Sequence, residues 1–214
     1  LFETFIERSK EELAAAFERF RVQGVRRVVL DLRWNGGGAG ATSRFLLDLF
    51  LGEAHEGDVA YELRFNERYE DCRRAHRLGD LDASLEGLEE VVIITSPATA
   101  SASELVWNAL RAYVPVRAVG APSVGKPYGF FPHDFCGKVL RAVSYRRVNA
   151  RGDAVPLEGI QPACVAVDEV TGPLGDPADN LLRAALDLLA GRGCARALRL
   201  GPRPIAIGDG LPTF

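Results

Sequence analysis

The sequence predicts an α/β fold of one domain, in which helices flank a mostly parallel sheet. Two short and densely apolar runs, 28–32 and 91–95, have the composition of strands that are buried on both faces. Each run is followed by a turn of small residues and then by a helical pattern, which is the strand–turn–helix unit of α/β proteins. The chain has 214 residues, of which 47% are hydrophobic, and this is enough for one sizeable core.

The other elements follow from local periodicity. Residues 61–66 and 138–148 alternate between apolar and polar side chains, as strands do. Ser9 and Asp179 are each expected to cap a helix, Thr42 to open another, and a further helix to follow the corner at Ser101. We expect the folded core to span 1–192, because 193–214 has little periodicity and reads as an irregular C-terminal extension.

Composition excludes several classes of function. The net charge is −3 and the sequence pI is about 5.7, without a long basic run, so no nucleic-acid partner is expected. No apolar run is long enough to cross a bilayer.

The chain begins at Leu1 and contains no Met, which indicates a piece of a longer protein whose missing part could carry a localisation signal or a lipid anchor.

Four cysteines are present, and none of them forms a C-x-x-C pair. This spacing predicts neither a metal site nor a metal cofactor. An even number of cysteines is compatible with four free thiols or with disulfides in an oxidising compartment, and we expect at least one bridge.

Residues 98–105 form a corner between the second apolar run and a helix. Ser101 lies at the start of that helix, where free backbone N–H groups stabilise negative charge. This is the setting of a nucleophile elbow, although the Gly-x-Ser-x-Gly pattern is absent. The local sequence by itself favours the alternative, a plain helix cap in which Ser101 and Glu104 form a capping box.

Lys126 lies in a loop rich in glycine, proline and aromatic residues. A lysine enclosed by such residues loses hydration, its pKa falls, and its neutral amine can accept the proton of a serine hydroxyl. A solvated surface lysine is the alternative.

The glycine turn at 35–38 follows a strand and could bring N–H groups to an oxyanion, or be a simple tight turn. It lacks the Gly-Lys-Ser/Thr ending of a phosphate-binding loop and the spacing of a dinucleotide site.

These segments together resemble the C-terminal processing (tail-specific) serine peptidases of the S41 type. Residues 28–38 are similar to the family's L-D-L-R-x-N-x-G-G motif, 99–105 to its S-A-S-A-S-E motif, and 120–126 to its G-x-x-T-x-G-K motif. The three motifs occur in the family's order, and Ser101 and Lys126 are separated by the family's interval of 25 residues.

The resemblance implies a serine endopeptidase that cleaves proteins or peptides near C-terminal tails or in unfolded segments. Ser101 would be the nucleophile and Lys126 the general base of a Ser–Lys dyad. The oxyanion hole would be formed by the N–H of Ala102 with one from Gly37 or Gly38. No cofactor would be needed, and the substrate would lie as an added strand beside the site.

The same resemblance implies a crotonase/ClpP-like core of ββα units and an extracytoplasmic location, either periplasmic or secreted, as in the bacterial lipoprotein-like members. An amino-terminal part with a PDZ domain would be missing from this chain. The family's loop Thr is Ser123 here, and a glutamine that follows the lysine in many members is replaced by Phe130. His133, or Asp134 beside it, is then the candidate for orienting Lys126, and the resemblance also suggests a Cys136–Cys164 disulfide.

Three other hypotheses remain open from the sequence. The chain could be a non-catalytic binding module of the same fold for an apolar ligand or a peptide, which the aromatic loop at 128–135 would suit. It could be an acyl-transfer enzyme acting on a thioester. It could also be an isolated core that holds Ser101 and Lys126 apart.

Overall fold

The computed structural model of the chain describes residues 1–169 and 173–194. The predicted irregular extension therefore falls, from residue 195 onward, outside the described residues. The α-helices of the described part are α1 (Ser9–Val22), α2 (Gly40–His55), α3 (Ala102–Leu110) and α4 (Asn180–Leu189).

The strands are short. In the described part of the chain a 3-10 helix, Glu67–Cys72, lies between the second and the third strand. Within the described ranges the strands are β1 (Arg27–Asp31), β2 (Val59–Arg64), β3 (Arg74–Arg77), β4 (Glu90–Thr95), β5 (Val116–Gly120), β6 (Tyr128–Phe130), β7 (His133–Phe135), β8 (Lys138–Leu140), β9 (Val143–Asn149) and β10 (Cys164–Val165).

A parallel sheet of four strands, in the order β1-β4-β5-β10, forms the centre of the fold. In β4, Val91 and Ile93 face the core formed with α2 and α3, whereas Val92 and Ile94 face α4. This alternation follows from the pleat of a strand and covers both faces of the sheet. The prediction of a parallel sheet flanked by helices is confirmed.

The parallel pairing of β1 with β4 decides where the predicted motifs meet. Both strands run in the same direction in register, with Val28 beside Val91 and Asp31 beside Ile94. The turns that follow the two strands therefore emerge at the same edge of the sheet, which is the usual place for a site in an open α/β sheet.

A second sheet is antiparallel, and sequence analysis did not distinguish it from the first. Its order is β3-β2-β9-β6, and β7 pairs with β8 in a separate hairpin. The strand predicted at 138–148 is thus two strands in two sheets. The periodicity continued across the break at 141–142, because alternation alone does not report which neighbour a strand pairs with.

The predicted disulfide partner was wrong, although the expectation of at least one bridge is confirmed. Cys164 pairs with Cys194, which follows α4. Cys136 is exposed in the turn between β7 and β8, and it is free, as is the exposed Cys72. No helix in the described part of the chain is long and apolar enough to cross a membrane.

Arg33 ties the glycine-turn segment to the other end of the chain. Its guanidinium is only 2% exposed and forms ion pairs of 2.8–2.9 Å with Asp31, Asp168 and Asp179. Asp179 also caps α4, as predicted, by accepting a hydrogen bond from the Leu182 N–H. The Arg33 hydrogen bond is the main reason that the pKa of Asp179 is lowered.

We expect Arg33→Met to lower the free energy of unfolding by about 3–5 kcal/mol, because it leaves three partly buried carboxylates without their cation. Urea unfolding at neutral pH measures this loss. Arg26→Met removes an exposed pair with Glu89 and should change stability by less than about 1 kcal/mol. A similar small loss in both variants would contradict the prediction.

The same cluster predicts a pH dependence. A carboxylate whose pKa is lower in the folded state stabilises the fold above its unfolded pKa, and this contribution is lost as pH falls through the lower, folded value. The wild-type protein should therefore lose stability below about pH 4 through Asp179. Arg33→Met should show a weaker loss over that range.

Candidate active site

Ser101 occupies a sharp corner between β4 and α3. Its φ is 60° and its ψ is −106°, and among the described non-glycine residues only Cys136 also has a positive φ. Such a conformation costs free energy and persists only where the surroundings impose it. The corner leaves the Ser101 side chain partly exposed, directly before the first turn of α3.

Glu104 fixes this corner from inside the fold. Its side chain is fully buried, and its Oε2 accepts a hydrogen bond of 2.8 Å from the Ser101 N–H. This is the capping interaction predicted from the sequence. Ser101 is therefore the N-cap residue of α3, a position that also fits a nucleophile because both roles use the N–H groups of a helix start.

The same carboxylate also holds the loop that carries Lys126, which the sequence did not predict. Glu104 Oε1 accepts hydrogen bonds of 2.6 Å from the Ser123 hydroxyl and from the Gly125 N–H. Glu104 Oε2 accepts one of 2.9 Å from the Lys126 N–H. One buried oxygen thus receives the backbone N–H groups of both Ser101 and Lys126.

Ser123 and Gly125 pack the Lys126 loop against the segment that contains Leu157 and Ile160. The Ser123 hydroxyl accepts a 2.7 Å hydrogen bond from the Ile160 N–H while it donates to Glu104. A Cβ at Gly125, whose φ is +81°, would overlap the carbonyl of Leu157. The loop geometry therefore requires glycine immediately before Lys126.

The glycine turn approaches the Ser101 corner from β1. The Asn35 carbonyl accepts hydrogen bonds from the Ala100 N–H, at 3.1 Å, and from the Ser103 hydroxyl, at 2.8 Å. At Gly37, where φ is +99°, a Cβ would lie 2.8 Å from the backbone nitrogen of Ala102. Only glycine allows the turn to come this close to the start of α3.

The turn's N–H groups differ in their availability. The Gly37 N–H donates to the Asn35 side chain at 2.9 Å, whereas the N–H groups of Gly38 and Ala102 have no hydrogen-bond partner in the part of the chain that the structure describes. Of the predicted oxyanion-hole donors, Ala102 and Gly38 therefore have free N–H groups, and Gly37 supplies the close approach.

The Lys126 side chain is not enclosed as the sequence suggested. It is exposed, and its Nζ lies 5.4 Å from the centre of the Phe130 ring. The neighbouring Tyr128 and Phe130 are exposed too, because the pleat of β6 turns Gly129 inward and these two rings outward. In this conformation no hydrogen bond joins Lys126 Nζ to Ser101 Oγ, so the dyad remains a prediction.

His133 and Asp134, the candidates for orienting Lys126, lie on β7 and are exposed. The structure gives neither of them a hydrogen bond to Lys126. Phe130, which stands where many members of the resembled family have a glutamine, is the side chain whose ring lies beside the lysine ammonium.

Arg147 is the site residue that sequence analysis missed. It lies on β9 with only 8% of its surface exposed, and its Nη2 is 3.3 Å from Ser101 Oγ and 3.4 Å from the Tyr128 carbonyl oxygen. The available signal was the pair Arg146-Arg147, because two consecutive residues of a strand must face opposite sides.

No group of three or more His, Cys, Asp or Glu side chains in residues 1–169 and 173–194 is arranged to hold a metal ion. The side chains brought together at this edge of the sheet are a hydroxyl, a carboxylate and two cations. A hydroxyl in such surroundings suits nucleophilic chemistry, and the free N–H groups of Ala102 and Gly38 could stabilise a negative charge that forms beside it.

Comparison with protein families gave a match to the model of peptidase family S41 over residues 2–165. The chain belongs to peptidase family S41. The match includes the glycine turn, Ser101, Lys126 and Arg147. Comparison with curated protein sequences gave no match.

Solved structures share the fold of this S41 chain. A protein from Bacteroides fragilis NCTC 9343 that is described as a putative S41 protease has a TM-score of 0.81 at 22% identity, over 89% of this chain and 53% of its own. The photosystem II D1 C-terminal processing protease has a TM-score of 0.62 at 23% identity, over 80% of this chain and 42% of its own.

A lipoprotein from Streptococcus agalactiae has a TM-score of 0.61 at 15% identity, over 89% of this chain and 64% of its own. The chain thus spans between about two fifths and two thirds of the length of these structures.

Proposed function

We propose that this chain is the catalytic core of a serine endopeptidase, with Ser101 as nucleophile and Lys126 as general base. The observation that carries the proposal is the buried Glu104 carboxylate, which accepts hydrogen bonds from the N–H groups of both residues. Family membership and the free N–H groups beside Ser101 support the same activity. The substrates would be proteins or peptides, cut near C-terminal tails or in unfolded segments.

In the proposed reaction, neutral Lys126 Nζ takes the Ser101 hydroxyl proton as Oγ attacks the carbonyl carbon. The Ala102 and Gly38 N–H groups stabilise the resulting oxyanion. Breakage of the C–N bond releases an amine that takes the proton back from Lys126, and leaves an acyl group on Ser101. Water then gives a proton to Lys126 and attacks the acyl group, and Ser101 is regenerated when that proton returns to Oγ.

For the first step, the flexible lysine side chain has to leave the Phe130 ring and reach Oγ. Catalytic contacts are often longer in the absence of substrate. The proposal assigns this movement to rotation of the side chain, because the backbone N–H groups of Lys126 and Ser101 are both held by Glu104 Oε2.

We place the substrate strand along β6. Within the described part of the second sheet, β6 pairs with β9 alone and has an open edge, and it begins two residues after Lys126. An extended peptide could pair with such an edge through its main chain. Related proposals are a crotonase/ClpP-like arrangement of the core and an extracytoplasmic location, which the Cys164–Cys194 disulfide favours.

A non-catalytic binding module is the second candidate. The observations that favour it are the exposed Lys126, which is not bonded to Ser101, and the exposed aromatic rings of Tyr128, Phe130 and Phe135. These rings could contact an apolar ligand or a peptide without any chemistry.

Labelling with a fluorophosphonate separates the two candidates, because this probe phosphonylates an activated serine. We expect labelling of the wild-type chain at Ser101, confirmed by peptide mass spectrometry, and none in Ser101→Ala. Ser103→Ala is the matched control, since Ser103 is buried and bonded to Asn35, and this variant should still be labelled. A folded wild-type chain that resists labelling would favour the binding module.

A further inference from the structure

Arg147 is a buried cation without a counterion at the candidate nucleophile. Only 8% of its surface is exposed, its Nε has no hydrogen-bond partner, and no carboxylate in residues 1–169 or 173–194 forms an ion pair with it. Its Nη2 contacts only two uncharged oxygens, Ser101 Oγ and the Tyr128 carbonyl. A buried charge is normally paired, because the loss of hydration is otherwise uncompensated.

The groups around Arg147 do not neutralise it. The charged or titratable side chains that act on it are Glu104, Tyr61 and Tyr145. Glu104 carries the one negative charge among them, but its oxygens bind the Ser101 corner and the Lys126 loop and form no direct ion pair with Arg147. Burial raises the pKa of Tyr61 to about 12, so its hydroxyl is uncharged at neutral pH. Burial lowers the pKa of Arg147, but a guanidinium remains protonated in proteins.

We propose that Arg147 is a carboxylate-binding site that selects substrates with a negative charge beside the scissile bond. The guanidinium lies at the nucleophile itself, so a substrate carboxylate that reached it would be placed next to the carbonyl under attack. Arginine binds carboxylates through charge-assisted N–H···O bonds, and the Nη2 of Arg147, which already reaches Ser101 Oγ, is the donor that a carboxylate at the nucleophile would meet.

The carboxylate could come from two sources, and both have the same chemistry. One is the side chain of Asp or Glu next to the cleaved bond, and the other is a free C-terminal carboxylate. Lys126 and the N–H groups of Ala102 and Gly38 make the surroundings electropositive, which favours an anion from either source.

Peptides that differ only in this charge test the proposal. Cleavage sites are first mapped by mass spectrometry on an unfolded protein, and peptides are then made with Glu or Gln on either side of the bond, each as free acid and as amide. We expect kcat/KM to be about 10- to 100-fold higher for the charged member of one pair, mainly through KM. The pair that shows the difference identifies the source of the carboxylate.

Two arginine variants give the matched comparison. Arg147→Met keeps the length of the side chain and removes its charge, and it should abolish the preference; thermal melting verifies that it folds. Arg146→Met changes the neighbouring, exposed arginine and should keep the preference. Equal cleavage of the charged and the uncharged member in every pair by the wild-type chain would overturn the proposal, as would an equal loss on all peptides in Arg147→Met.

This inference rests on the proposed peptidase activity for its substrate class, and a binding measurement separates the two. Calorimetry with Ser101→Ala compares the same charged and uncharged peptides. If no cleavage site is found, N-acetylglutamine amide is the uncharged reference for N-acetylglutamine and for N-acetylglutamate α-amide, each of which carries one carboxylate. Tighter binding of the carboxylate that disappears in Ser101→Ala/Arg147→Met supports the site even if Ser101 is never labelled. Equal binding of the charged and the uncharged ligands overturns the site and leaves the peptidase proposal to the labelling result.

Discussion

Lys126→Ala should lower kcat/KM for peptide hydrolysis by about 10³- to 10⁴-fold without changing the fold. The size of the effect is that of an essential general base. The side chain is exposed, and within residues 1–169 and 173–194 it contacts the Phe130 ring alone, so its removal should leave the thermal midpoint almost unchanged. Initial rates on an unfolded protein and a thermal melt give both values.

Two further lysine variants make this result specific. Lys126→Arg keeps the positive charge but cannot lose its proton, so it should be as inactive as Lys126→Ala. Lys138→Ala removes another exposed lysine, on β8, and should retain full activity. If Lys126→Arg were active, the side chain would act through its charge and the proton transfer to Lys126 would be disproved.

Local features of the chain were predictable from the sequence. The corner at Ser101, the turn at Gly37 and the cap at Asp179 each depend on residues within a few positions of one another. Their signals are the preferences of single residues for particular backbone conformations and helix ends. The parallel sheet followed from the same local patterns, because strand–turn–helix units can bury their apolar runs only between layers.

Contacts between distant segments were not predictable in this way. Glu104 reads as a capping residue, but its bonds to Ser123 and Gly125 depend on how the loop after β5 folds back over α3. Arg147 meets Ser101 across 46 residues and from a different sheet. The partner of Cys164 was missed for the same reason, since spacing does not determine disulfide connectivity.

Glu104 takes part both in the local cap of α3, which the sequence predicts, and in the bonds to the distant Lys126 loop, which it does not. Glu104→Gln is nearly isosteric, but an amide has only one acceptor oxygen where the carboxylate has two. Its NH₂ group would face either the N–H groups of Ser101 and Lys126 or the Gly125 N–H and the Ser123 hydroxyl. In each orientation at least one backbone donor loses its acceptor and meets another donor.

We expect Glu104→Gln to lower the free energy of unfolding by about 2–4 kcal/mol, because charge-assisted hydrogen bonds are lost in a buried place. We also expect a fall in kcat/KM of about 10²-fold, which is the cost of a small misplacement of reacting groups. Urea unfolding and the rate of fluorophosphonate labelling, taken where the variant is folded, measure the two effects separately.

Ser84→Ala is the control for destabilisation alone. Its hydroxyl is buried and bonded to the Asp48 carbonyl and the Leu81 N–H, in a turn that contributes nothing to the Ser101 corner or the Lys126 loop. It should lose about 1–2 kcal/mol of stability and label at the wild-type rate. If Glu104→Gln also labelled at the wild-type rate once folded, the carboxylate would be a structural cap alone, and another group would have to align Lys126 with Ser101.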